Sequence, residues 1–95
     1  MLKVTPRGFI TISGLGLDNF KNEFISHKKL TLHESGCITF KVIQNKSDAC
    51  RFDVYEEFID RAAFEQHQQR VAGSKWYGVT KNAERHYRID EVAQE

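Results

Sequence analysis

The sequence is poor in the features that mark several large protein classes. It has two cysteines and one proline in 95 residues, with no CxxC and no HxxxH pair. The four histidines are scattered along the chain, so no sequence-local metal motif is present and no metal is expected. No apolar run approaches the roughly 20 residues that cross a bilayer. The opening Met1-Leu2-Lys3-Val4-Thr5-Pro6-Arg7 lacks the apolar segment of a signal peptide. The expectation is therefore a cytoplasmic protein with no membrane partner. Neither sign of charge is in excess: 14 basic and 13 acidic residues leave +1. Lys and Arg form no cluster of the kind a nucleic-acid binder displays, so no nucleic-acid partner is expected. Gly14-x-Gly16 is too short for a dinucleotide-binding fingerprint.

The length implies one domain, 1–95, with its core at about 8–90. A chain of this size buries only about 60–65% of its unfolded surface, a shortage that a second copy would relieve.

What is present alternates between two periods. Pro6 and Gly8 bracket the start of a β-branched run, Phe9–Ser13. After Gly14-Leu15-Gly16, Asp18 stands where a helix N-cap belongs. Leu17, Phe20, Phe24, His27 and Thr31 then recur at helical spacing, and Gly36 offers a stop. Cys37–Ile43 and Arg51–Phe58 alternate with period two across a polar turn, 44–49, and read as an antiparallel hairpin. Cys37 and Cys50 then lie roughly 20 Å apart at the rise of a strand, too far to bridge, and are read as free thiols. Asp60 caps a second helix, 61–72. Gly73 ends it, and Ser74 caps a short continuation with Trp76, Tyr77, Val79 and Thr80. Arg85–Asp90 is the last strand.

The order β-α-β-β-α-β predicts a ferredoxin-like α+β fold with a four-stranded antiparallel sheet and both helices on one face. Strand parity sends Ile10, Ile12, Ile38, Phe40, Val42, Phe52, Val54, Phe58, Tyr87 and Ile89 toward the helices. Phe9, Thr11, Cys37, Thr39, Lys41, Ile43, Arg51, Asp53, Tyr55, His86 and Arg88 fall on the other face. That second face is mixed. Solvent or a partner surface could cover it, and Phe9, Ile43 and Tyr55 favour a partner.

Phe52 to His67 reads Phe-Asp-Val-Tyr-Glu-Glu-Phe-Ile-Asp-Arg-Ala-Ala-Phe-Glu-Gln-His. This resembles the signature of the antibiotic biosynthesis monooxygenase family: a strand ending in Glu-x-aromatic, then Asp, then a helix carrying Ala and His. Glu56, Phe58, Asp60, Ala63 and His67 match it. Glu34-Ser35-Gly36-Cys37 resembles the family's Glu-Pro-Gly-Cys lead into the second strand, with Ser35 in place of Pro. His27-Lys28-Lys29-Leu30-Thr31 and Arg70-Val71-x-x-Ser74-x-Trp76 resemble a bacterial subfamily labelled quinol monooxygenases. The likeness spans about 8–90. The departure is the stretch 70–74, which lacks the Pro-His pair many members carry. The resemblance implies a homodimer whose sheets pack face to face as a dimeric α/β barrel, and a pocket between helices and sheet in each protomer. It also implies a cofactor-independent oxidation by dioxygen of a small aromatic substrate, a quinol or anthrone, which supplies its own electrons.

The candidate catalytic residues are His67 and Glu56. His67 is either a buried structural histidine or the pocket's proton carrier. Glu56 shares parity with Phe52, Val54 and Phe58. Among such neighbours it is either a structural hydrogen-bonding group or a carboxyl of raised pKa. The candidate substrate-binding residues are His27, Arg70, Trp76 and Tyr77. His27 lies on the apolar stripe of its helix. Arg70 either holds a substrate oxygen or is a solvated charge, and Trp76 and Tyr77 either cover a flat ligand or pack in the core. Alternatives from other classes are a non-catalytic dimeric module for an apolar ligand, a haem-binding or haem-degrading protein, and an isomerase acting on a phosphorylated signal metabolite.

Overall fold

Pro6 does not open the first strand; it lies inside it. The computed structural model describes residues 2–93, and in it strand β1 runs Leu2–Thr11, seven residues further upstream than the β-branched pattern reaches. β1 is an inner strand, with sheet order β2-β3-β1-β4. Proline has no N–H to give a neighbour. Pro6 lies opposite Ile89 of β4, and on the β3 side it falls between the pairs Val4↔Phe58 and Arg7↔Tyr55. A central strand thus carries a residue that sheet propensity alone would have excluded.

The other elements follow the expected order. A 3-10 turn, Gly14–Gly16, leads into helix α1 (Leu17–Leu32), then β2 (Cys37–Gln44), β3 (Arg51–Phe58), α2 (Arg61–Ala72), α3 (Lys75–Thr80) and β4 (Glu84–Ala93). All strand pairs are antiparallel, which gives the ferredoxin-like α+β fold predicted from the sequence. Asp60 caps α2 as expected, its carboxylate accepting the Ala63 N–H at 2.8 Å, and Ser74 caps α3. The start of α1 differs. Gly16 occupies the cap position, Ser13 caps the preceding 3-10 turn, and Asp18 lies in the first helical turn, where its charge still suits the helix dipole. β4 continues to Ala93, beyond the expected end at Asp90.

Strand parity holds for β3, whose Phe52, Val54, Glu56 and Phe58 are all buried beneath the helices. It fails at the start of β2. The pairing slips between Cys37 and Thr39, a bulge that inserts one residue. Cys37 therefore packs inward against the Val4, Phe58 and Phe64 cluster, while Ile38 is exposed, the reverse of the alternation read from sequence. Both cysteines are free thiols.

The core has two parts. Ile10, Ile12, Phe20, Phe52 and Val54 form one cluster, with Trp76 packed against it. Val4, Phe58 and Phe64 form the other, beneath the first turn of α2. Two glycines allow the layers to close. A Cβ on Gly36 would stand 2.3 Å from that of Ala63, so α2 passes directly over the lead into β2. Gly8 has φ of 153°, and a Cβ there would stand 1.8 Å from the His86 carbonyl oxygen of β4. Gly8→Ala is expected to cost more than about 2 kcal/mol in a urea titration. The control is Gly78→Ala in α3, where nothing lies within 4 Å of the added methyl. It should be neutral or stabilising by up to about 1 kcal/mol. Equal costs at the two positions would refute the close approach at Gly8.

Candidate active site

The two core clusters are separated by a cavity of about 340 Å³ between the helices and the sheet. Residues of both clusters line it, including Ile10, Phe20, Val54 and Phe64. The wall nearest α1 is aromatic. The His27 ring stacks on Trp76 with centroids 4.4 Å apart and planes 7° from parallel, and Trp76 in turn packs on Phe20 at 4.7 Å. The cavity opens where Tyr87 and Ile89 of β4 and Tyr77 of α3 line it and remain exposed.

Glu56 and His67 meet in this cavity because each sits where its element forces it inward. Glu56 occupies a helix-facing position of β3, opposite Phe40 of β2. His67 follows Phe64 by three residues on α2, so both side chains lie on the face turned to the sheet. Each is 7% exposed. His67 Nε2 faces Glu56 Oε1 at 3.5 Å, an ion-pair distance too long for a strong hydrogen bond. On its other side, His67 Nδ1 is 2.8 Å from Glu34 Oε1, in the turn between α1 and β2. Arg70 donates from Nε to the second oxygen of Glu34 at 2.6 Å, and from Nη2 to the buried Thr31 hydroxyl at 2.9 Å.

Burial controls the electrostatics. It pushes the Glu56 carboxyl up to about 7, and the charge of Glu34 pushes in the same direction. Burial lowers His67, against the charge and hydrogen bond of Glu34, which raise it. His27 is lowered to about 3 by burial, then by His67 and Arg70, so it is a neutral ring at physiological pH. The Tyr87 phenol is pushed up to about 12 by burial and then by the Glu56 charge, although 39% of the residue's surface is exposed. The phenol therefore stays protonated at neutral pH. The cavity therefore holds a carboxyl that titrates near neutrality beside an imidazole, a pair able to take up and release one proton.

Of the residues singled out from the sequence, His67, Glu56, His27, Trp76 and Tyr77 line the cavity together. Arg70 does not. It is engaged by Glu34 and Thr31, which is neither the substrate contact nor the solvated charge that the sequence offered. Sequence reasoning missed Glu34 as a site residue, although it stands in the Glu34-Ser35-Gly36-Cys37 segment that carried part of the resemblance. It also missed Tyr87, Arg85 and Gln68 on the cavity wall. Among the described residues, no group of three His, Cys, Asp or Glu is placed to hold a metal ion.

The family model described as antibiotic biosynthesis monooxygenase matches residues 10–77. No protein with a curated function matches the sequence. Solved structures share the fold at low identity. SnoaB from Streptomyces nogalater, a cofactor-independent oxygenase, superposes with a TM-score of 0.80 at 11% identity, covering 100% of this chain and 97% of its own. A conserved protein of unknown function from Bacteroides thetaiotaomicron, described as a possible oxidoreductase, gives 0.81 at 14% identity, with coverage of 95% and 97%. A protein from Nitrosomonas europaea assigned as an antibiotic biosynthesis monooxygenase gives 0.72 at 19%, with coverage of 96% and 86%. Since the family model spans α1, β2, β3 and α2, more than half of the chain and both Glu56 and His67, this chain belongs to the antibiotic biosynthesis monooxygenase family.

Proposed function

We propose that the protein is a cofactor-independent monooxygenase that oxidises a small aromatic quinol or anthrone-like substrate with dioxygen. The observation that carries this reading is the His67–Glu56 pair set into a cavity whose remaining wall is largely apolar and aromatic. A quinol or anthrone becomes reactive toward dioxygen once it loses a proton. The pair takes that proton, and the resulting anion gives one electron to dioxygen. The two radicals combine as a peroxide on a ring carbon. One oxygen atom stays on that carbon, and the other leaves as water with two hydrogens from the substrate. The protein's part is to bind the ring, exclude water and hold the proton. His67 and Glu56 are the proton carriers in this reading. Trp76, Tyr77 and His27 form the aromatic walls, and Arg70 acts through Glu34.

The same reading takes the working unit to be a homodimer joined through the outer sheet face. Ile43 on that face is 64% exposed, Ile38 joins it through the β2 bulge, and the guanidinium of Arg51 lies over the Phe9 ring at 3.9 Å. Exposed apolar groups on a sheet face support a partner surface. Light scattering at micromolar concentration should give twice the 11.0 kDa chain mass. A monomer at high micromolar concentration would rule this assembly out.

His67→Ala should lower oxygen uptake with a reduced menadione-type quinol by about 10²–10⁴-fold while the fold persists. A purely structural histidine would instead cost about 1–3 kcal/mol of stability with turnover per folded molecule nearly unchanged. Measuring both quantities on one sample decides between them.

Glu56 yields a second test with a defined sign. Its carboxyl titrates at about 7 in the fold against 4.5 unfolded. Between those values the unfolded state has released a proton that the folded state keeps, so stability falls as pH rises, and the full loss is present above pH 7. The shift corresponds to about 3 kcal/mol. Glu56→Gln removes it. The variant should match the parent near pH 4, unfold at a higher temperature at pH 8, and oxidise quinol poorly. A variant no more stable than the parent at pH 8 would contradict the buried carboxylate.

A further inference from the structure

We infer that Glu34 is a positioning residue: anchored by Arg70, it holds the His67 proton on Nδ1 and so presents Nε2 as a bare acceptor to Glu56 and the cavity. The tautomer follows from what each partner is able to do. Arg70 Nε donates to Glu34 Oε2 at 2.6 Å, a short charge-assisted ion pair in which the permanently charged guanidinium meets Glu34 as a carboxylate. An ionised carboxylate only accepts. The 2.8 Å contact between Glu34 Oε1 and His67 Nδ1 is then a hydrogen bond in which Nδ1–H donates. A neutral imidazole has a single N–H, so Nε2 carries the lone pair, and the atom 3.5 Å from it is Glu56 Oε1.

The arrangement is a chain of contacts that leads from the buried Thr31 hydroxyl to the cavity: Thr31, Arg70, Glu34, His67, Glu56. Its five members come from four parts of the fold: Thr31 from α1, Arg70 and His67 from α2, Glu34 from the α1–β2 turn and Glu56 from β3. Only the inner two members line the cavity. Glu34 and Arg70 therefore act on a substrate only through His67. When His67 accepts a proton at Nε2, the imidazolium lies between two carboxyl groups, and Glu34 stabilises it without contacting the ligand. The charged and titratable groups that face His67 are Glu34 from the turn, Glu56 from β3, His27 from α1 and Arg70 from its own helix. Glu34 is the one among them both in hydrogen-bond contact with the ring and outside the cavity wall.

Glu34→Gln tests this by removing one of two acceptor oxygens. Gln has a single carbonyl oxygen, which the charged Arg70 claims. The amide N–H₂ then faces Nδ1 and selects the opposite tautomer, as a carboxylate-to-amide change does in a histidine–carboxylate pair of known mechanism. The direct readout is ¹⁵N-detected NMR of the His67 ring at a pH where it is neutral. The unmodified protein should show Nδ1 protonated and Nε2 bare, and Glu34→Gln should show the reverse. An unmodified protein with its proton on Nε2 overturns the inference, and so does a folded Glu34→Gln protein whose tautomer is unchanged. The first measurement needs no variant, so the test survives a Glu34→Gln protein that does not fold. The consequence for rate rests on the proposed oxidation. Glu34→Gln should lower kcat for reduced menadione-type quinol by at least about 10²-fold with KM little changed. It should also lower the pH at which the acid limb of the rate profile falls, by destabilising the imidazolium. A Glu34 that is merely structural would lower stability and leave both the tautomer and the acid limb unmoved. If the unmodified protein oxidises no quinol, the proposed reaction fails, while the NMR result still decides the role of Glu34.

Discussion

Burying Glu56 is the constraint around which the rest of this small fold is arranged. A carboxyl at a helix-facing position of an inner strand resists ionisation, which is why it titrates at about 7. A fold whose described residues form two modest apolar clusters has little stability to spare. Phe52, Val54 and Phe58 on the same strand face, with Phe20 and Phe64 above them, fill the space around the carboxyl with large side chains. The cavity is what remains where those side chains do not meet. Stability and chemistry thus draw on the same few strand positions, and the least comfortable residue in the core is the one best suited to handle a proton near neutral pH.

The sequence carried the architecture because its signals were local. Asp60 three residues before Ala63, and Ser74 three before Tyr77, are N-cap spacings that the structure uses directly. The parity of β3 placed Glu56 inward without knowledge of its neighbours. Where the reading failed, the cause was nonlocal. β1 extends upstream through Pro6 because β4 pairs with it along its whole length, and no pattern within β1 announces that. Ile38 and Cys37 exchanged faces because a single-residue bulge reset the register, and alternation cannot show a slip of one.

The site was legible to the same degree. His67, Glu56, His27, Trp76 and Tyr77 converge, each on a face its own periodicity supplied. Glu34 was present in a recognised segment but had no visible partner. Its contact with His67, 33 positions further along the chain, depends on α2 crossing above Gly36. Arg70 was singled out for its charge, and its charge is used, but on Glu34 rather than in the cavity. Residue type predicted the chemistry of that side chain and not its direction.

The cavity's opening over β4 separates what the pocket admits from what holds the protein together. Arg85, Tyr87 and Ile89 border the cavity from an edge strand and belong to neither core cluster. Their replacement alters the width, polarity and hydrogen bonding of the opening without removing a member of the packed interior. His67 and Glu56 line the same space from other elements, α2 and β3. A lineage built on this frame is free to change the shape of that opening by drift along one exposed strand, with His67 and Glu56 left in place.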